Sequence, residues 1–164
     1  MGQSGTTAQR FRGSYEAKID DRGRIKIPAK FLSVFNAGYG RELYVTSLEG
    51  DHVIIYPMKV WEKVEFQIEN AGILDPDVDA YVNRLSYWGT EAELDSKGRV
   101  LVPPALRKEG QLDEVVRVMG KANHLVIWNE ENFRLKELGE PFGKEKLQKV
   151  SRILNEITSL KGQE

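Results

Sequence analysis

The feature that most constrains this chain is a repeat. Asp-Asp-Arg-Gly-Arg at Asp20 to Arg24 returns as Asp-Ser-Lys-Gly-Arg at Asp95 to Arg99, an offset of 75 residues. The flanks match too. Ala17-Lys18-Ile19 and Ala92-Glu93-Leu94 precede the two turns, and Ile25-Lys26-Ile27-Pro28 and Val100-Leu101-Val102-Pro103 follow them. Further on, Leu43-Tyr44-Val45 and His52-Val53-Ile54-Ile55-Tyr56 are answered by Val116-Arg117-Val118 and His124-Leu125-Val126-Ile127-Trp128, where the offset has fallen to 72. A small loop-length drift between otherwise parallel orders identifies two diverged copies of one unit. Each copy is too short to bury much surface alone, so the halves should pack together or with other chains.

Short segments rich in β-branched and aromatic residues, bounded by Gly, Pro, Asp or Asn, predict strands. They run over Ser14 to Ile19, Arg24 to Ile27, Glu42 to Thr46 and Val53 to Tyr56, then over Glu91 to Leu94, Arg99 to Val102, Val115 to Met119 and Leu125 to Trp128. Short helices are expected after Pro28 and Pro103, because Pro suits a first helical turn. Trp61, Val64 and Ile68 predict a helix over Pro57 to Asn70 that stops at Gly72. Asp75-Pro76 reads as a cap and first-turn Pro for another helix, and Asn129 as the cap of a helix bearing Phe133. Leu147, Val150, Leu154 and Ile157 make Lys144 to Leu160 an amphipathic helix, suited to packing on its own core or to joining subunits. Strands interspersed with helices define an α+β chain.

Composition excludes several classes. There are no cysteines, hence no disulfide, thiolate metal site or cysteine nucleophile, in keeping with a reducing cytosol. No apolar run approaches a membrane span of about 20 residues, and Met1 to Gln9 lacks the apolar middle of a signal peptide. The net charge of −1 gives no global basic signal, but residues 10–30 hold seven Lys/Arg against three Asp/Glu. Such a local stripe can produce a strong field on a near-neutral chain.

The repeated turn carries the chemistry. Gly23 and Gly98 each precede an arginine at a strand start and tolerate the positive φ of a tight turn. Asp20 and Asp95 are placed to accept from turn amides, or to pair with Arg24 and Arg99. An arginine so held presents a fixed fork of donors suited to phosphate or to the O6/N7 edge of guanine. Arg22 and Lys97 add a second cation to each turn, and Lys26 a further one in the first copy only. One such turn is an ordinary hairpin with a surface ion pair; two in matching contexts suggest a repetitive target such as DNA with repeated half-sites. The greater positive charge around the first copy suggests that the two turns contribute unequally.

Other readings are weaker. His52 and His124 precede buried-looking strands with no second histidine at ligand spacing, so a structural role is expected and no metal site. Gly38-Tyr39-Gly40 lacks the rest of a nucleotide-binding fingerprint. A hydrolase built on Asp20, Asp21 and Asp95 lacks a nucleophile, and the adjacent arginines would keep those carboxylates ionised. The reading is therefore non-enzymatic, with no cofactor and no small-molecule substrate.

Phe11-Arg12-Gly13 leading into Ile19 to Pro28, the second block Leu94 to Pro103, Ile55-Tyr56-Pro57 with Trp61, and Val126-Ile127-Trp128 together resemble the MraZ family, over roughly Phe11 to Leu160. Asp21-Arg22 departs from the commoner Ser-Lys or Ala-Lys, and Met1 to Arg10 precedes the usual start. The resemblance implies two fused AbrB-like swapped-hairpin β units with pseudo-twofold symmetry and flanking helices. The expected divisions are a disordered extension at 1–10, a first repeat at 11–72, a connecting helix at 73–89, a second repeat at 90–140 and the amphipathic helix at 141–164. It also implies a ring-like homo-oligomer in the bacterial cytoplasm, associated with the nucleoid. The implied function is a transcription factor that binds tandem G-rich direct repeats in double-stranded DNA and represses the division and cell-wall gene cluster. DNA contact then falls to Arg22, Arg24, Lys97 and Arg99, and loop shaping to Asp20, Gly23, Asp95 and Gly98. The competing reading is a protein-interaction module, antidote-like, as others of that superfamily are.

Overall fold

The computed structural model describes residues 10–72 and 74–162. Of the 1–10 extension only Arg10 lies among them. Contacts divide the chain into a first unit, Met1–Glu130, and a second, Glu131–Glu164.

Among the described residues, the first unit holds every strand. They are β1 (Ser14–Lys18), β2 (Arg24–Lys26), β3 (Glu42–Thr46), β4 (Val53–Pro57), β5 (Thr90–Glu93), β6 (Arg99–Leu101), β7 (Val115–Gly120) and β8 (Leu125–Trp128). Four helices accompany them: α1 (Ala29–Val34), α2 (Met58–Ala71), α3 (Pro76–Tyr87) and α4 (Pro104–Glu109). The Asp75 carboxylate accepts from the N–H groups of Asp77 and Val78, which fixes the start of α3. A further helix, α5 (Glu130–Glu137), begins at the end of this unit.

The strands are exchanged between the repeats. The large sheet is antiparallel throughout, in the order β1-β7-β8-β4-β3-β5. Thus β1 of the first copy pairs with β7 of the second, and β5 of the second with β3 of the first. A separate ribbon pairs β2 with β6. Its central pair is Ile25 with Val100, which are equivalent residues of the two copies. In the large sheet Ile54 faces Val126, again equivalents. A pseudo-twofold axis passing through both pairs accounts for this register. The fold is therefore α+β with an internal repeat, and its hairpins are swapped within one chain.

The drift in offset also has a location. After α1 the first copy inserts one π-helical turn, Phe35–Tyr39, closed by Gly40 at φ 80°. The second copy turns directly through Gly110 and Gln111 instead.

One core lies between the two layers of strands and the short helices. Ile25, Ile27, Phe35, Leu43, Val45, Val53 and Ile55 meet Val100, Val102, Leu106, Val116, Val118, Leu125 and Ile127 there, all fully enclosed. Both copies contribute, as expected for units too small to form a core singly. A smaller cluster of Tyr56, Val60, Trp61 and Leu85 attaches α2 and α3. The histidines are structural here. His52 stacks on Trp128 at 4.9 Å and His124 on Tyr56 at 5.0 Å, each crossing to the other repeat.

The second unit contains the remainder of α5 and the helix α6 (Lys144–Lys161). Leu147, Val150, Leu154 and Ile157 of α6 are exposed rather than packed on a core.

Candidate nucleic-acid interface

The two turns are built identically from hydrogen bonds. In the first, one Asp20 oxygen accepts from the N–H groups of Arg22 (3.0 Å) and Arg24 (2.9 Å), and the other accepts from Arg24 Nε at 2.8 Å. In the second, Asp95 accepts from Lys97 N–H (2.9 Å), Arg99 N–H (2.9 Å) and Arg99 Nε (2.7 Å). The backbone closes each turn the same way: Gly23 N–H donates to Asp20 carbonyl and Gly98 N–H to Asp95 carbonyl, both at 3.0 Å. Gly23 and Gly98 have φ 83° and 73°, the left-handed region that glycine enters without strain.

This bonding sets the electrostatics. The Asp95 carboxyl is pulled down to about 2, first by the Arg99 backbone N–H, then by its side chain and the Lys97 N–H, against the opposing effect of desolvation. Asp20 is lowered for the same reasons, with the Arg24 backbone N–H foremost. Both are therefore ionised at neutral pH and engaged on both oxygens, which suits anchoring an arginine and not donating a proton. Each arginine gives only Nε to its aspartate. Among the described residues its two terminal nitrogens hold no partner, so a rigidly oriented fork remains for an incoming acceptor.

The ribbon decides where these forks point. Strand alternation buries Ile25 and Val100 on its inner side. Arg24, Lys26, Arg99 and Leu101 accordingly share the outer side. Arg24 faces Leu101 and Arg99 faces Lys26, so the two arginines are diagonal neighbours, their Cα atoms roughly 7–8 Å apart. Arg22 and Lys97 are exposed on the turns themselves.

Strand exchange also assigns each turn neighbours that the sequence does not. Lys26 Nζ donates to the Lys97 carbonyl, so the extra cation of the first copy serves the second turn. Arg41 donates from Nε to Leu94 carbonyl at 3.3 Å and from a terminal nitrogen to Asp95 carbonyl, at the entry to that same turn. Two cations of the first copy thus bear on the second turn. Beneath the first turn lies Arg107 of α4, whose guanidinium occupies the place a Gly23 side chain would take. The equivalent space at Gly98 is filled by Leu32 of α1, 2.7 Å from where a Cβ would stand. No local signal marks Arg41 or Arg107, since both act across the repeat boundary.

Among the described residues, no group of three His, Cys, Asp or Glu side chains is placed to hold a metal ion, and no helix is long and apolar enough to cross a membrane.

A single chain that exchanges hairpins between two internal repeats, and shows the same acid-anchored arginine at both turns, belongs to the fused swapped-hairpin class. The family model described as "MraZ protein, putative antitoxin-like" matches residues 10–83 and 89–138. The chain is 36% identical over 124 residues to the transcriptional regulator MraZ of Acidobacterium capsulatum, covering 76% of this chain and 85% of that one. It is 39% identical over 125 residues to that of Neisseria meningitidis, covering 75% and 82%. With the namesake of Koribacter versatilis it shares 35% identity over 133 residues, covering 80% and 90%. The chain belongs to the MraZ family.

Proposed function

We propose that this chain is a sequence-specific DNA-binding transcriptional regulator whose two turns read duplex DNA. The observation that carries the reading is the doubled arginine fork on the outer side of the β2–β6 ribbon, each held by an aspartate through Nε alone. A two-stranded ribbon fits a major groove about 12 Å wide, and a bidentate arginine matches guanine O6 and N7. Arg24 and Arg99 then contact bases, Arg22 and Lys97 contact phosphates, and Asp20, Gly23, Asp95 and Gly98 shape the loops. Each chain would read one G-rich repeat. A homo-oligomer, ring-like in the family's manner, would place several ribbons on tandem direct repeats, gaining avidity by effective concentration. The proposed role is repression of the division and cell-wall gene cluster by a cytoplasmic, nucleoid-associated protein.

The test is titration of the purified protein against a duplex with tandem G-rich repeats and against a scrambled duplex, at two salt concentrations. Preference for the repeats, weakened steeply by salt, is expected. Arg24→Ala or Arg99→Ala should weaken specific binding by about 1–3 kcal/mol per lost bidentate contact. A folded double variant with unchanged binding would sink the assignment.

A second reading, an antidote-like protein-interaction module, is favoured by one observation, the exposed apolar residues of α6. Equal, weak and salt-insensitive binding to both duplexes would support it.

A further inference from the structure

We infer that Arg107, carried on α4 of the second repeat, is a phosphate-binding residue of the first turn. The inference rests on the DNA-binding reading and extends its contact set to a residue outside the repeated motif.

Three observations carry it. First, the Arg107 guanidinium lies directly against Gly23, in the space a side chain would need, so its charge adjoins the turn. Second, its Nε is enclosed without a hydrogen-bond partner, and no carboxylate among the described residues pairs with it. A partly buried cation left without a counter-charge is costly, and an anion arriving at the turn would compensate it. Third, the pseudo-twofold provides an internal control. At the equivalent place under Gly98 the nearest residue is Leu32, with Lys26 Nζ at the margin, 3.4 Å from where a Cβ would stand, so the α-helix position equivalent to 107 packs beneath its turn with an apolar side chain. The cation at 107 is not needed for packing.

Each turn thereby acquires cations from the other repeat, at different places, Arg41 joining Lys26 at the second. Lys26 reaches the second turn from the ribbon, and Arg107 supports the first from below. At the positions equivalent to these two cations stand Leu101 and Leu32. The phosphate contacts of the two turns are therefore not superimposable, although their arginine forks are. A chain of this kind binds its repeat in one preferred direction.

The experiment measures affinity of the full chain for the tandem-repeat duplex over a salt series, comparing wild type with Arg107→Leu, Arg107→Gln and Lys108→Ala. Leu copies the residue at the equivalent site, Gln keeps polarity without charge, and Lys108→Ala removes the same charge from an exposed neighbour on α4. Melting temperature establishes that each variant is folded. The expected result is an affinity about three- to tenfold lower for both Arg107 variants, with a log–log salt slope shallower by about one per engaged first turn, and near wild-type behaviour for Lys108→Ala. Arg107→Leu should couple with Arg24→Ala in the same turn and add independently to Arg99→Ala. Folded Arg107 variants with the wild-type slope and affinity overturn the inference and leave the reading of the forks intact. A wild-type chain that binds neither duplex overturns both.

Discussion

Asp95 engages each of its carboxylate oxygens inside a five-residue turn, and this makes the turn's order dependent on one proton. Its ordinary value of 3.8 is lowered to about 2 in the fold. A lowered carboxylate stabilises the folded loop fully above its ordinary value, and that contribution is lost as pH falls through the folded value. The loop should therefore stay ordered to well below pH 4 and open only near pH 2. A pH titration of the Gly98 amide and the Asp95 carboxyl by NMR checks this; a midpoint near 3.8 would contradict it, and Asp95→Asn should abolish the transition. The glycines make a second prediction. Ala at Gly23 would be strained at φ 83° and would collide with the Arg107 guanidinium, so Gly23→Ala should cost about 1–3 kcal/mol in thermal or denaturant unfolding. All of the acid, glycine and arginine positions of these turns were legible in the sequence, because an Asx-type turn is a local structure. Arg107 and Arg41 were not, because what places them is a contact between segments far apart in the chain.

At the scale of elements, the β2–β6 ribbon links the core to the proposed interface. Its inner pair, Ile25 and Val100, is fully enclosed, while the same strands lift Arg24 and Arg99 to the outer side. Ile25→Ala leaves a cavity at the pseudo-twofold axis and should destabilise the chain by about 2–5 kcal/mol, read from denaturant midpoints. It should also loosen both turns together, seen as faster amide exchange at Gly23 and Gly98. Exchange confined to one turn would mean that the ribbon does not act as a unit. The existence of these strands followed from alternation and from Gly and Pro punctuation, and their limits differ from the expected ones by a residue or so. The α2, α3 and α6 spans were equally plain from apolar spacing and from the Asp75-Pro76 cap. What periodicity could not supply was the partner of any strand, since alternation states which side faces a core and not whose core it is.

For the whole molecule, exchange of hairpins means that neither repeat has a complete sheet. Without the second half, β1 loses β7 and β2 loses β6; without the first, β5 loses β3. An isolated fragment of residues 10–72 should therefore form no folded monomer. Circular dichroism and sedimentation check this, and a cooperatively melting monomer would refute it. The same exchange redistributes charge. Residues 10–30 are the basic part of the sequence, yet Lys26 and, further along, Arg41 bear on the second turn.

The sequence by itself determined the repeat, the two turns with their acid, glycine and cation, the strand and helix spans, and the family. These are set by short-range chemistry: hydrogen bonds within five residues, permitted φ values, and apolar period. Only the tertiary structure decided which strands pair, that the two arginine forks share one side of a ribbon, and which distant cations stand beside each turn. Those outcomes follow from burying a main core to which both halves contribute, and that requirement acts across the repeat boundary.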